Sequence, residues 1–435
     1  MAGTLTPRRI HLKEYGAVAV VPPGVIDVGA LAESNKRWKR LLKLSRDPLK
    51  WALLADGHVE LRAQDVTGVV RIGDTDIEIA PKFLNDINQN WQSVLWRILT
   101  VVEGGYVDEN RTAAHEIDSS TLPDLLAEMF LASYAKGAAR GLPRGYQPIS
   151  SSGPVLRGNL DQSRIGNWVA RPWEVPFVTD LFTDDTTLAR LLRWTAEHLA
   201  STVTAPGRAR EVREIAGSLS HVGRRPPHLI EAQRIHLGIQ HRALEPALAV
   251  GIMLLEGAGV HHAQGEHALS GFLWNSDVIY ENFVYWLCSR AAAGVGGKVN
   301  KKRLNFGELL TPHGTNLETT PDVVFHSNDG TVLAVTDSKY KNFGTRPKAA
   351  DTYQVLTAGQ VLGCQRVSLT YPVGEDKKPT MWRVPSALGG KDIELSALPL
   401  NLMSLAEPGG QTNLVATFTR WLEATIFEIS DEEGT

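Results

Sequence analysis

Cysteine is almost missing from this chain: Cys288 and Cys364 are the only two in 435 residues. Two thiols cannot build a disulfide framework or a four-cysteine zinc or iron–sulfur centre, so any chemistry must rest on other side chains. Long hydrophobic runs are missing too. The longest, PALAVGIMLLEGAGV, is broken by Glu256 and falls short of the roughly 20 residues that span a bilayer. The opening MAGTLTPRRIHLKEY carries no apolar signal segment. A cytoplasmic protein with no membrane contact is the expectation. There is no G-x-x-x-x-G-K-[ST], because Gly297-Lys298 and Gly390-Lys391 are followed by Val299 and Asp392. No nucleotide is therefore expected to bind this chain alone. G-x-S-x-G is absent as well.

Strong charge of either sign is also lacking, at a net –3. That does not exclude nucleic acid, since affinity follows the phosphates neutralised locally. Three basic patches are present. KRWKRLLKL (36–44) reads as a helix with Trp38, Leu41 and Leu42 on one face and lysines and arginines around the rest. GKVNKKRLNF (297–306) and KYKNFGTRPK (339–348) supply Lys301, Arg303, Lys341 and Arg346 as candidate phosphate contacts.

The length predicts two or three domains. Residues 1–82 alternate with period two between Gly and Asp turns and predict a small β-rich domain. Residues 83–255 carry mostly helical patterns, divided by the Pro- and Gly-containing GLPRGYQPISSSGP. Residues 256–435 mix strands and helices and predict an α/β domain, with TMWRVPS a late strand, ATFTRWLEATIFEI a terminal helix and SDEEGT an unstructured tail. His261, His262 and His267 fall in a glycine-flanked loop and make a weak metal candidate.

The most informative stretch is TTPDVVFHSNDGTVLAVTDSKYKN (319–342). Asn-Asp-Gly between β-branched runs predicts a hairpin, with Asp329-Gly330 at the centre of a two-residue type I′ turn. That register sets Phe325 opposite Ala334, Val324 opposite Val335 and Asp322 opposite Asp337. Lys339 projects from the same face as Asp337 by the period of two. Like charges directly opposed are destabilising, yet carboxylates with Cβ atoms about 4.5–5.5 Å apart can share a divalent cation. Either the hairpin end is exposed and Lys339 neutralises it, or the three residues form a nuclease metal site. Mg²⁺ suits two carboxylates and a phosphate, with the lysine stabilising developing charge. A third acid, Glu281, lies among apolar residues of a predicted helix, SDVIYENFVYWLCSRAAA (276–293). Asp/Glu-x-Lys also occurs at Glu375–Lys377 and Asp376–Lys378, in the charged turn GEDKKP, where a solvated loop is the simplest reading.

Glu281 on a helix, Pro321-Asp322, Asp337-Ser338-Lys339 and then Gln354 on a helix resemble the PD-(D/E)xK nuclease superfamily. More narrowly the chain resembles the McrC family, the nuclease subunits of McrBC-type modification-dependent restriction systems. TGVVRIGDTDIEIAPKF with Pro81-Lys82, VLRGNLD with Arg157, Gly158 and Asp161, and DDTTLARLLRW carry the likeness beyond the nuclease quartet. Ala189 and Leu244 depart from it, standing where Asn and Tyr are expected. The resemblance implies an endonuclease with Asp322, Asp337 and Glu281 at Mg²⁺ (Mn²⁺ substituting), and Lys339 and Gln354 completing the site. It also implies a McrB-like AAA+ GTPase hexamer as partner, docked through the N-terminal part, and double-stranded DNA carrying modified cytosine as substrate. The basic helix 36–44 is a candidate for the docking. An adaptor that activates the GTPase without cutting is the alternative, and a stand-alone repair nuclease a weaker one.

Overall fold

A computed structural model describes residues 8–73, 75–84, 91–102, 122–258, 271–307, 317–385 and 392–432. The chain forms two compact units. One gathers the residues up to Leu125 with those from Glu256 onward, and the other takes Leu126–Leu255.

The first unit opens with β1 (Arg8–Lys13), β2 (Ala19–Val21), α1 (Val28–Leu41), β3 (Leu49–Leu53), β4 (Val59–Ala63), β5 (Val66–Ile72), β6 (Thr75–Ala80) and α2 (Trp91–Val102). Strands β2, β4 and β3 form a small antiparallel sheet, in which alternate residues of β4 (Val59, Leu61 and Ala63) are buried. Helix α1 starts where the Asp27 carboxylate accepts the N–H groups of Gly29 and Ala30. It buries Leu31 and Trp38, while Lys36 and Arg40 face outward. Removing Leu31 and Leu49 from water contributes about 1.5–3 kcal/mol each. Asn35 ties α1 to β3 by hydrogen bonds in both directions with the Leu49 backbone, at 2.6 and 3.0 Å.

The second unit carries most of α3 (Leu122–Gly137), then β7 (Gly145–Gly153), β8 (Asn159–Leu160), α4 (Ile165–Ala170), β9 (Val175–Thr183), α5 (Thr187–Thr202), α6 (Pro206–Ser218), α7 (Leu229–Gln233) and most of α8 (Glu245–Ala258). Beside the helices expected in this region, β7, β9 and β8 form an antiparallel sheet that the helical patterns did not indicate. Its strands GYQPISSSG and VPFVTDLFT lack a clean apolar alternation, since much of the sheet is exposed. The Asp-Thr segment works locally: Thr186 caps α5 through the Ala189 N–H, and Asp185 takes the Arg190 guanidinium at 2.7 and 2.8 Å. Ala189 and Leu244, the departures from the family pattern, are both buried.

The chain returns to the first unit with β10 (Gly271–Asn275), α9 (Ser276–Gly294), β11 (Lys298–Asn300), β12 (Leu304–Gly307), β13 (Leu317–Thr319), β14 (Val323–His326), β15 (Val332–Ser338), α10 (Ala349–Val361), β16 (Arg366–Val373), β17 (Thr380–Val384), β18 (Ile393–Asn401) and α11 (Gly410–Glu432). Strand β10 pairs with β5 and completes the sheet β1-β6-β5-β10. Residues 1–82 are therefore not a separate domain: their sheet is closed by a strand some 200 positions downstream. Helix α11 runs through Glu432, into the tail expected to be unstructured.

A six-stranded mixed sheet, β11-β14-β15-β16-β18-β17, forms the C-terminal core. Its centre, β15-β16-β18, is parallel, and α10 supplies the crossover from β15 to β16. One face, with Val335, Val367, Leu369 and Ala397, packs on Val355 and Ala358 of α10. The alternate residues face the other way, where Thr336 meets Ser368 and Ser396 accepts from Trp421 of α11. Asp337 follows the parity of Val335, which directs it and Lys339 toward α10.

Candidate active site

The hairpin carrying the acids differs from the expected one at its tip and agrees with it at its base. Ser327 N–H donates to the Thr331 carbonyl and Gly330 N–H to the Ser327 carbonyl, so the loop has three residues, Asn328–Gly330. A type I′ turn needs positive φ at both Asp329 and Gly330. Only Gly330 has it (φ +93°), because the Asp329 carboxylate accepts the Thr331 N–H and the Ser327 hydroxyl. This shifts the pairing by one at the tip, where His326 faces Val332. A bulge at Leu333 then restores it, so Phe325 faces Ala334, Val324 faces Val335 and Val323 faces Thr336. One residue further, Asp322 arrives beside Asp337 as the expected register requires.

The two carboxylates have different environments. Asp322 accepts the backbone N–H of Ser338 at 2.8 Å and the Ser338 hydroxyl at 2.5 Å through one oxygen. Its other oxygen lies 3.8 Å from the Lys301 ammonium. Asp337 is only 2% exposed; burial above all, and then the Asp322 charge, push its carboxyl up to about 6 against the pull of Lys339. Its Oδ2 is ion-paired with Lys339. Lys339 is anchored by its backbone N–H on the Thr370 carbonyl of β16, and its ammonium donates to Gln354 Oε1 at 3.0 Å. Gln354 sits on the open edge of α10, whose buried edge carries Val355, Ala358 and Gly359. A Cβ on Gly359 would lie 2.5 Å from Val367 Cγ1, so glycine sets how closely α10 approaches β16.

Glu281 extends from α9, which is capped by Asn275 and buries Tyr280, Phe283, Val284, Leu287 and Cys288. It hydrogen-bonds Lys301, which lies between Glu281 and Asp322. Burial works against the Lys301 charge, but the hydrogen bond to Glu281 and the nearby carboxylates outweigh it and raise its pKa. Lys301, expected as a phosphate contact flanking the site, is held here within the acid cluster. Lys341 is held by both oxygens of Asp351, at 2.7 and 2.9 Å, and Arg303 is paired with Glu318 on β13. Arg346 is exposed and has no ion-pair partner among the described residues. His261, His262 and His267 lie outside the described residues.

Ser338 was not anticipated. Its residue type is uninformative; what selects it is the register, which brings its backbone and hydroxyl to Asp322. The donor set fits a divalent hard cation. The two carboxylates lie side by side, with Asp337 Oδ2 paired to Lys339 and Asp322 Oδ1 meeting only a distant ammonium. Among the described residues no third acidic, histidine or cysteine side chain joins them at metal-ligand spacing, and Mg²⁺ needs no more than two, with water and phosphate filling the remainder.

Among solved structures, the chain is similar to one from the Thermococcus gammatolerans assembly described as a refined half-complex of McrB AAA+ hexamers with bound McrC. The TM-score is 0.61 at 15% identity, over 96% of this chain and 99% of that one. A cryo-EM structure of the Thermococcus gammatolerans McrBC complex matches with a TM-score of 0.44 at 15% identity, over 65% of this chain and 88% of that one. No curated protein matches. Among the described residues no helix is long and apolar enough to cross a membrane. The sequence model of the McrBC 5-methylcytosine restriction system component matches residues 61–372, and this chain belongs to that family.

Proposed function

We propose that this chain is the DNA endonuclease subunit of a two-component, GTP-dependent restriction complex directed at modified cytosine. In this reading it is McrC-like, hydrolyses phosphodiesters with Mg²⁺ (Mn²⁺ substituting), and stimulates a McrB-like AAA+ GTPase hexamer. The observation that carries it is the Asp322–Asp337 pair with Lys339 and Gln354 beside it, residues whose order along the chain resembles that of a PD-(D/E)xK nuclease. Asp322 and Asp337 would hold the cation, with Glu281 assisting across Lys301. A cation held there would supply polarisation of the phosphoryl oxygen and a lowered pKa for the attacking water.

The chain's own residues do the rest. Ser338 orients Asp322, leaving its second oxygen facing the site. Gln354 accepts one N–H of the Lys339 ammonium and Asp337 a second, which leaves the third for the attacking hydroxide or a phosphate oxygen, where charge develops in the transition state. Lys301 sits at the rim and would leave Glu281 for a phosphate oxygen of the substrate.

The partner reading is supported by the absence of a P-loop, by family membership and by an exposed apolar surface on the second unit. Tyr146 and Phe182, whose rings lie 5.0 Å apart on paired strands, are 72% and 53% exposed there, and exposed apolar surface of this kind marks protein interfaces. That surface is a stronger docking candidate than helix α1, whose apolar residues Leu31 and Trp38 are buried.

The internal neutralisation of Glu281 and Asp322 by Lys301 favours a second reading, an adaptor that activates the GTPase without cutting. Cleavage of methylated and unmethylated plasmid separates the two, run with Mg²⁺ and GTP, with and without the AAA+ protein, for wild type and Asp337→Ala. Cutting that needs the motor, the methylation and Asp337 supports the nuclease subunit. Stimulated GTP hydrolysis with no cutting supports the adaptor, and cutting without the motor supports a stand-alone nuclease.

A further inference from the structure

The sheet edge that carries the acid pair holds a second feature. Strands β15 and β16 are parallel, and Asp337 lies near the C-terminal end of β15. Just beyond the same ends, a pocket of about 310 Å³ opens between Asn342 and Phe343, which follow β15, and Pro372–Glu375, at the end of β16. Its remaining walls come from the N-terminal sheet: Lys13 at the end of β1, and Lys82 with Phe83 after β6. Lys377, from the charged turn GEDKKP, completes it.

The pocket is cationic. Lys13, Lys82 and Lys377 line it against one acid, Glu375, which lies 3.8 Å from Lys377 on an exposed loop. Each ammonium is held so as to keep hydrogen-bonding capacity. Lys13 donates to the Leu84 carbonyl, and Lys82 stands 3.9 Å over the Tyr340 ring. Behind Lys82 the buried Glu14 lies 3.9 Å away and accepts the Tyr340 hydroxyl, and the exposed Asp277 lies 4.0 Å from the same ammonium. Burial raises the Glu14 pKa to about 7, so its charge only partly offsets the lysine at neutral pH. Open α/β sheets bind ligands beyond the carboxyl ends of their parallel strands, and a compact ammonium cluster with an amide suits a phosphate.

We infer that this pocket binds a phosphate group of the DNA backbone flanking the one to be cut, so that the N-terminal sheet supplies part of the DNA track. The inference rests on the nuclease reading. The pocket begins three residues beyond Lys339 and two beyond Thr370, whose carbonyl holds the Lys339 backbone. Thr370 and Pro372 both lie on β16, where two residues at about 3.3 Å each make a step of about one nucleotide along a strand.

The test is binding of a short duplex by the full chain carrying Asp337→Ala, measured across a salt series, so that cleavage plays no part. Adding Lys13→Ala and Lys377→Ala is expected to weaken binding about tenfold on any sequence and to lower the slope of log affinity against log salt by about one phosphate contact. Lys377→Glu, on an exposed loop that folding does not need, is expected to do the same. Inorganic phosphate is expected to compete at lower concentration with the parent than with the lysine variants. An unchanged slope in both variants would overturn the pocket, as would an equal fall in Lys50→Ala, an exposed lysine on β3. Phosphate competition lost with DNA binding unmoved would assign the pocket to a free phosphate or nucleotide and overturn its place on the DNA track. Persistent cutting by Asp337→Ala in the plasmid assay would instead refute the nuclease assignment, so the two failures are distinct.

Discussion

Ser338 donates both its backbone N–H and its hydroxyl to a single oxygen of Asp322, at 2.8 and 2.5 Å, and so couples the two strands that carry the acids. The residue between Asp337 and Lys339 thereby orients the carboxylate across the hairpin. Ser338→Ala removes the hydroxyl bond and leaves the backbone one. Supporting hydrogen bonds of this sort are worth about 10–100-fold in metal affinity. The expected result is cleavage that needs more Mg²⁺, within that range, and approaches the wild-type rate at saturation. A lower rate at saturating Mg²⁺ with an unchanged requirement would contradict it.

Lys339 reaches the site between Asp337 and Gln354. Lys339→Ala is expected to lower kcat by about 10²–10³, the magnitude of losing one charged transition-state donor. Gln354→Ala leaves the ammonium in place but free to turn, and should cost less, about tenfold, with little change in KM. Single-turnover cleavage of a short duplex compares the two. Equal losses would mean that Gln354 itself contacts the reacting groups.

Lys301 is bound to Glu281 and lies 3.8 Å from Asp322. A fixed positive charge at that place opposes a divalent cation while serving a phosphate. Lys301→Met should therefore bind Mg²⁺ more tightly, followed by calorimetry in the absence of DNA, while raising KM for the duplex. Weaker Mg²⁺ binding in this variant would show that the lysine supports the cation site.

Glu14 is buried against Tyr340 and Lys82, and burial raises its pKa from 4.5 to about 7. The folded state then holds a proton that the unfolded state has released, so stability falls as pH rises from about 4.5 to about 7. Glu14→Gln keeps an acceptor for Tyr340 and removes the titration. Its denaturation midpoint, relative to wild type, should rise across that window and level off above it. A difference independent of pH would exclude Glu14 as the titrating group.

The strands β4 and β5 were legible because half-buried strands alternate apolar and polar residues, β14 and β15 because their apolar runs flank Asn-Asp-Gly, and α5 and α9 because their apolar stripes repeat every three to four residues. Asp337-x-Lys339 stood out because period two sets both on one face. Even the misread turn left the site in register, since the bulge at Leu333 absorbed the extra loop residue. The sheet β7-β9-β8 was hidden in a region otherwise rich in helical patterns, because a strand exposed on both faces has no alternation to read. The pairing of Lys301 with Glu281 was hidden for another reason: charge in a sequence carries a sign but no address.

The sequence by itself determined the local chemistry here: which segments fold as helix or strand, which residues cap them, and that two acids and a lysine converge at the end of one hairpin. Those outcomes depend on interactions within a few residues. Only the tertiary structure decided that β10 closes the N-terminal sheet, that Ser338 holds Asp322, that Lys301 belongs to Glu281, and that Lys13 and Lys377 share a pocket. Each of those joins residues brought together by packing, which one sequence read along its length does not encode locally.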